Sequence, residues 1–496
     1  MRPTTTLRRV PALLDDCIVA RPLTLRRPGS VTYFSTTSYR YAPPTAGKKK
    51  GTGGHGEGPK KGRQTLKIKR DMRVKDATIG TPESRKAFRT RIILENTNAN
   101  TVPGLDRLTA ETAFAKESIG KVFTIPGNHI DALRLMGAFK RTQGWHNYKG
   151  PATLIRQETW YIGQRMNEIS EAGLGAETTR KVIIGERKSG KSVLILQALS
   201  MAMLREWVVI NIPECRELTD ALTSDYNPVK GTDPLQFYQK QYSATLLDQI
   251  ARVNRTVLSK IKVSQSHTLP IRNLGQMNLH QLAEHGAAEL DLAWPVFQAL
   301  WTELTAKNDP EVVEKFGKRP PVMFCADNIS YIFGESKYEK LAENDKLVPV
   351  HTFDLLLPKH YIDLLTGTTT LPNGGIILGA TSSSHYITCP PLDVAIEMGQ
   401  ERLQYPDEKL EVNDFWNPLV KIDRRVLDQV INIDVLPLKG ISKEEAREII
   451  GYWALSGLVR DRVQDNYVGE KWTMSGGGVI GELEKAVVRM NLNGGT

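Results

Sequence analysis

The sequence predicts an α/β protein in which helices cover a parallel sheet and a smaller helical domain follows at the C-terminal end. Short apolar runs alternate with longer helical stretches, which is typical of strands buried on both faces. A glycine-containing turn joins one of these runs to an apolar helix. The chain has 496 residues, 40% of them hydrophobic, and can therefore bury a sizeable core.

The elements follow from local apolar periodicity and from turn residues. An apolar run at 181–184 predicts a strand, 191–205 a buried helix, and 207–212 a second strand that Pro213 ends. Two longer segments, 242–262 and 290–307, have helical character. Further strands are predicted at 322–326 and at 375–380, the latter entered through an Asn-Gly turn at 373–374.

The C-terminal segment has a different, helical pattern. Ser442 and Glu445 form a capping-box pair at the start of a helix. The apolar residues of that helix recur at helical spacing: Ala446, Ile449, Ile450, Trp453 and Ala454. A second helix is predicted at 478–490. We therefore divide the chain into a leader (1–41), a basic arm (42–105), a main domain (106–412) and a C-terminal helical, lid-like domain (413–496).

The positive charge of the chain is concentrated at its N-terminal end. Residues 1–70 contain 16 Lys and Arg against three acidic residues, whereas the rest contains 50 basic and 52 acidic residues. Residues 1–41 have seven arginines, no lysine and many Ser and Thr, the composition of a mitochondrial transit peptide. The alternative is a disordered tail. The expected compartment is the mitochondrial matrix.

The arm that follows is rich in Gly and Lys and has too little apolar surface to fold alone. Between residues 63 and 91, ten basic residues face three acidic ones. Such a segment suits the phosphate backbone of RNA, and a solvated linker is the alternative. We favour RNA contact.

Several classes of protein are disfavoured. The four cysteines lie far apart, without a CxxC pair, so neither a zinc knuckle nor a secreted disulfide framework is indicated. The histidines show no metal-binding spacing, and no apolar stretch is long enough for a membrane span.

Residues 185–192 read G-E-R-K-S-G-K-S and match the P-loop pattern G-x-x-x-x-G-K-[ST]. In a P-loop the backbone N–H groups and the N-terminus of the next helix surround phosphates. We expect nucleotide binding by Gly185, Glu186, Arg187, Lys188, Ser189, Gly190, Lys191, Ser192 and Val193. Lys191 would contact the β- and γ-phosphates, and the Ser192 hydroxyl would bind Mg²⁺. The predicted fold class is therefore a P-loop NTPase.

The strand at 322–326 leads into Asp327, the expected second Mg²⁺ ligand. Asn328 follows, where active ATPases of the AAA+ type have a Glu that activates water. Because an amide cannot accept that proton, we expect slow turnover. Thr381 and Ser382 close a further strand and are candidate γ-phosphate sensors; ordinary strand-end capping is the alternative.

These features resemble the death-associated protein three family, the P-loop proteins of the mitochondrial ribosomal small subunit. The resemblance covers about residues 126–490. Besides the P-loop and Asp327, the matching runs are W-V-V-I-N-I-P at 207–213, Y-N-P at 226–228 and A-W-P-V-F at 293–297.

The resemblance implies an AAA+-like domain with GTP or GDP and Mg²⁺, and contacts to small-subunit rRNA and to other mitochondrial ribosomal proteins. The choice of guanine over adenine rests on the resemblance alone, so ATP remains an alternative ligand. Two alternatives differ in class. A matrix AAA+-type ATPase needs a Glu after Asp327, and a free GTPase switch needs a guanine-reading N/T-K-x-D motif, which we do not find in a suitable place.

Overall fold

The structure is a computed structural model that describes residues 91–489, except for 174, 222–224, 230, 343–344, 384–386 and 407–421. The predicted transit peptide (1–41) and the predicted arm up to residue 90 lie outside the described residues.

Eleven strands occur in the described part of the chain. They are β1 (Val122–Thr124), β2 (Ala152–Leu154), β3 (Thr178–Ile184), β4 (Val208–Ile212), β5 (Asn227–Pro228), β6 (Phe237–Tyr238), β7 (Val322–Asp327), β8 (Glu335–Leu341), β9 (Leu347–His351), β10 (Gly375–Ala380) and β11 (Val435–Pro437). Five of them form one parallel sheet in the order β11-β3-β10-β7-β4. The other six form three antiparallel pairs, β1 with β2, β5 with β6 and β8 with β9.

The described α-helices lie between and after these strands. They are α1 (Gly127–Leu135), α2 (Gln157–Ala172), α3 (Lys191–Leu204), α4 (Lys240–Val253), α5 (Arg255–Leu258), α6 (Leu279–Ala288), α7 (Ala293–Leu304), α8 (Pro310–Phe316), α9 (Leu356–Thr366), α10 (Pro390–Gln404), α11 (Arg424–Val430), α12 (Lys443–Leu455), α13 (Asp465–Met474) and α14 (Ile480–Glu484). None of them is long and apolar enough to cross a membrane.

The sheet is buried on both faces, as the uninterrupted apolar runs predict. In β3, Val182 and Ile184 belong to one core cluster and Ile183 to the other, because side chains alternate along a strand. Helices α4, α6, α7 and α9 pack into the first cluster, and α2 and α3 into the second. The predicted α/β class with a helix-covered parallel sheet is therefore confirmed.

The long helix predicted at 242–262 is interrupted at Asn254, where the structure has two helices, α4 and α5. The Asn254 side chain turns to β4, the edge strand of the sheet. Its Oδ1 accepts the backbone N–H of Val209 (2.8 Å), and its Nδ2 donates to the Val209 carbonyl (2.9 Å). These two bonds satisfy backbone groups of the edge strand and explain why the helix stops.

The folded body extends further towards the N-terminus than the predicted border at 106. Leu94 is buried in the cluster that contains α2 and α3, and the Asn96 N–H donates to the Tyr148 carbonyl. The end of the predicted arm, residues 91–105, therefore belongs to the folded body, because an apolar side chain anchors it there.

The C-terminal part also departs from the prediction. The predicted border at 413 falls outside the described residues, but β11 follows it and forms the edge of the main sheet beside β3. The C-terminal helical cluster consists of α12, α13 and α14, and it also contains Tyr148 and Leu154 from the region around β2. The predicted 413–496 domain is thus corrected: its first described elements belong to the α/β body.

Within that cluster, the capping box is confirmed, since Ser442 Oγ accepts the Glu445 N–H and Glu445 Oε2 accepts the Ser442 N–H. The second predicted helix, 478–490, begins later and is shorter, because Gly476, Gly477 and Gly478 all adopt positive φ. Helix α14 starts at Ile480 and passes into a π-helical turn at Lys485–Arg489.

Replacing Asn254 with Ala should destabilise the protein. The substitution leaves the N–H and C=O of Val209 buried without partners, and each such group costs about 1–3 kcal/mol. We expect a lower midpoint of urea unfolding with an unchanged slope. Thr245→Ala, at an exposed position of α4, is the matched control and should change the midpoint little. Equal midpoints for the two variants would contradict the role of Asn254.

Candidate nucleotide-binding site

The glycine loop lies between the end of β3 and the start of α3, where the P-loop pattern requires it. Gly185 and Gly190 have φ of 152° and 103°, and Lys188 between them has φ of 64°. A Cβ on Gly185 would lie 2.5 Å from the carbonyl oxygen of Leu438. The loop therefore requires glycine at 185 for space and at 190 for conformation.

Lys191, the first residue of α3, is 7% exposed and folds back over the loop. Its ammonium donates to the carbonyls of Gly185 (2.7 Å) and Glu186 (2.8 Å). Burial lowers the pKa of Lys191 to about 8, although Asp327 and Glu186 act in the opposite direction. The loop thus holds a partly desolvated cation at its centre, which suits an anionic ligand.

A cavity of about 970 Å³ opens beside the loop. Its lining includes all residues from Arg187 to Val193, so most of the predicted phosphate-binding residues face one space. Gly185 and Glu186 do not line the cavity; they contribute the carbonyls that hold Lys191. The predicted residues Asp327, Thr381 and Ser382 line the same cavity.

Asp327 ends β7 and is 7% exposed. Its Oδ1 accepts the backbone N–H of Asn328 (2.9 Å), and its Oδ2 lies 3.5 Å from the ammonium of Lys140. Lys140 also donates to the carbonyl of Pro213. Asp327 is therefore fixed at the carboxyl end of the parallel strands. It lies next to a second cation, Lys140, that the sequence pattern did not predict.

Thr381 directly follows β10, and its hydroxyl donates to the carbonyl of Ile183 on the neighbouring strand β3 (3.3 Å). This bond favours the strand-end capping alternative for Thr381. Ser383, which was not among the predicted residues, donates to the Gly185 carbonyl (3.4 Å) and lines the cavity. Hydroxyl groups from the segment after β10 therefore lie beside the loop.

Helix α14 covers the loop from the C-terminal side. The Gly481 N–H donates to the Lys188 carbonyl (3.1 Å), and Glu482 Oε1 accepts from the Lys188 ammonium (2.8 Å). A Cβ at Gly481 would come within 2.7 Å of the Lys188 side chain. The approach of this helix to the loop thus depends on a glycine.

Arg156, just before α2, connects the loop with the segment that follows β11. Its guanidinium is buried and donates to the carbonyls of Ser189 (3.0 Å) and Lys439. Sequence reasoning missed Arg156, because its partners are 33 and 283 residues away and no local pattern links them.

Aromatic side chains also line the cavity. Trp145, Tyr148, Tyr452 and Trp453 are among its lining residues, and the rings of Tyr148 and Tyr452 stack with centroids 5.4 Å apart. Cationic groups and flat rings in one cavity match the two halves of a nucleotide, the phosphates and the base.

A parallel sheet, a glycine loop at the strand-to-helix turn and a carboxylate at the end of the strand next but one define a protein with the P-loop NTPase fold. The model of the mitochondrial ribosomal death-associated protein 3 family matches residues 153–486. The chain belongs to this family, as the residues at 207–213, 226–228 and 293–297 indicate.

Two relatives are similar over most of their length. A small ribosomal subunit protein mS29 of Neurospora crassa is 38% identical over 462 residues, which cover 92% of each chain. The mS29 protein of Schizosaccharomyces pombe is 22% identical over 90% of this chain and 87% of its own. Among solved structures, a Walker-type ATPase of Pyrococcus abyssi matches 67% of each chain with 16% identity and a TM-score of 0.32.

Replacing Lys191 with Ala should weaken the binding of a nucleoside triphosphate by about 10- to 100-fold, the effect of losing one charge-assisted hydrogen bond. Equilibrium dialysis with labelled nucleotide measures this change. Lys307→Ala removes the same charge from an exposed position and should bind as the unmodified chain does. Unchanged affinity in Lys191→Ala would place the phosphates elsewhere.

The affinity should also depend on pH through Lys191. With a pKa of about 8, its ammonium is charged below that pH and loses its proton above it. Above pH 8 binding requires proton uptake, so the dissociation constant should rise, approaching tenfold per pH unit. A titration series from pH 7 to 9.5 tests this expectation, and Lys191→Ala should remove the dependence. A flat profile in the unmodified chain would refute it.

Proposed function

We propose that this chain is a structural component of the mitochondrial small ribosomal subunit and supports mitochondrial translation. The observation that carries the proposal is the 38% identity to the Neurospora crassa mS29 protein along 92% of both chains. The family model matches residues 153–486, which include the strands of the main sheet and most of the C-terminal cluster. The expected location is the ribosome in the mitochondrial matrix.

Within that role the chain binds a guanine nucleotide, GTP or GDP, at the loop of residues 185–193. The loop amides and Lys191 hold the phosphates, and the aromatic side chains of the cavity receive the base. Support comes from the shared cavity of about 970 Å³, which is large enough for a nucleotide. The choice of guanine follows the family resemblance, and ATP is the competing ligand.

The residues at the loop also fit Mg²⁺. Ser192 and Asp327 provide a hydroxyl and a carboxylate, the oxygen ligands that this ion prefers. Among the described residues no group of three His, Cys, Asp or Glu forms a metal site by itself. A magnesium ion here therefore depends on the phosphates of the nucleotide for further oxygens. When bound, it would neutralise phosphate charge beside Lys140 and Lys191.

Hydrolysis in this proposal is slow, because Asn328 stands where AAA+-type ATPases have a general base. The same residue argues against a matrix AAA+-type ATPase. A nucleotide that stays bound stabilises the folded state, by about 4 kcal/mol at a thousandfold excess over its dissociation constant. The nucleotide then acts as a part of the fold that connects β3, β7 and helix α14.

Small-subunit rRNA and neighbouring ribosomal proteins are the proposed partners. Beyond the predicted transit peptide, residues 42–70 contain nine Lys and Arg against one acidic residue. After removal of a transit peptide, the basic arm would remain to contact the rRNA backbone in a salt-dependent manner.

Sedimentation of the tagged protein from a mitochondrial extract tests the proposed role. We expect the protein to co-migrate with small ribosomal subunits and to stay with them after dissociation of the large subunit. A free hexamer would support an AAA+-type ATPase instead, and a free monomer would support a GTPase switch. Lys191→Ala should reduce the fraction that co-migrates, because the variant loses the stabilising nucleotide.

A further inference from the structure

The cavity contains a carboxylate, that of Glu214, which the sequence analysis did not predict. Glu214 follows the end of β4, the strand next to β7 in the sheet. Its Oε1 accepts a hydrogen bond of 2.6 Å from the Asn328 side-chain amide. Glu214 lines the same cavity as Lys191 and Asp327. An acidic group thus lines the cavity that the phosphate loop lines, although it comes from a different strand.

The backbone explains why residue 328 is an amide. Asn328 adopts a left-handed conformation with φ of 61°, which Asn tolerates far better than Glu does. It is 2% exposed, and its backbone N–H donates to Asp327. A buried residue in this conformation is fixed in place. Its side-chain amide therefore positions the carboxylate of Glu214 and does not itself take a proton.

We propose that Glu214 is the general base for a slow hydrolysis of the bound nucleoside triphosphate. This inference rests on the proposed nucleotide site. The amide of Asn328 occupies one carboxylate oxygen, and the other accepts a proton from water. The water oxygen then forms a bond to the γ-phosphorus while the bond from that phosphorus to the bridging oxygen of the β-phosphate breaks. The products are a nucleoside diphosphate and inorganic phosphate, and the proton passes from Glu214 to solvent.

The surrounding charges suit this reaction. The Lys191 ammonium lies in the loop, where charge develops on the transferred phosphoryl group, and Lys140 lies 3.5 Å from Asp327. Asp327 is engaged by Lys140 and by the Asn328 N–H, so it is not the base. Among the described residues that line the cavity, the remaining carboxylates are Glu214 and Glu484. The Glu484 carboxylate lies against Gly144, whereas Glu214 is bonded to the residue that follows Asp327.

Single-turnover hydrolysis tests the proposal with the full chain in excess over γ-labelled GTP. The unmodified chain should release phosphate measurably over hours. Glu214→Gln should lower that rate by at least about 100-fold, the usual contribution of a general base, while GDP affinity stays the same. Glu217→Gln, three residues further along and exposed, is the matched control and should retain the rate.

A second readout does not depend on turnover. Aluminium fluoride with GDP mimics the transferred phosphoryl group, and the unmodified chain should bind GDP more tightly in its presence. Glu214→Gln should lose that gain and bind GDP alone normally, which also shows that the variant is folded. An unmodified chain that binds GTP without hydrolysing it, or a Glu214→Gln variant with the full rate or the full gain, would overturn the role of Glu214. Failure of the unmodified chain to bind either nucleotide would instead overturn the proposed nucleotide site.

Discussion

The shape of the phosphate loop depends on hydrogen-bond donors for its carbonyl groups, which point away from the ligand side. A loop whose N–H groups face a ligand must turn its carbonyls away, and each buried carbonyl then needs a donor. Four carbonyls of the loop have one: Lys191 serves those of Gly185 and Glu186, the Gly481 N–H that of Lys188, and Arg156 that of Ser189. These donors come from three parts of the chain, two of them distant from the loop in sequence. Helix α3, the C-terminal cluster and the segment before α2 therefore all have to be in place before the loop has its shape.

The sequence predicts the parts of the molecule that local patterns determine. The strands around the loop, the helix from Lys191 and the capping box at Ser442 lie where the periodicity places them, because each depends on residues close in sequence. Asp327 could be assigned for the same reason: it directly ends an apolar run.

The remaining features depend on pairings across long sequence separations. Nothing near Val435 indicates that β11 joins the sheet beside β3, since its partner lies about 250 residues away. Lys140, Arg156 and Glu214 enter the site in the same way. Of these three residues, Glu214 could have been identified from the sequence. It follows the predicted strand at 207–212, whose carboxyl end lies beside that of the strand ending in Asp327. The helix break at Asn254 could not be predicted for another reason. A side-chain amide that hydrogen-bonds to an edge strand does not alter the apolar periodicity of the helix sequence.

That amide has a further consequence for how the chain avoids aggregation. An open sheet edge is a template on which strands of other molecules can add, and β4 is buried along its whole length and apolar except for Asn211. By binding both backbone groups of Val209, Asn254 places a side chain where an incoming strand would need a ladder of free donors and acceptors. An intruding strand would have to displace α4 together with this residue. One asparagine at a helix end therefore occupies the backbone groups of Val209 at the β4 edge, where an added strand would otherwise pair.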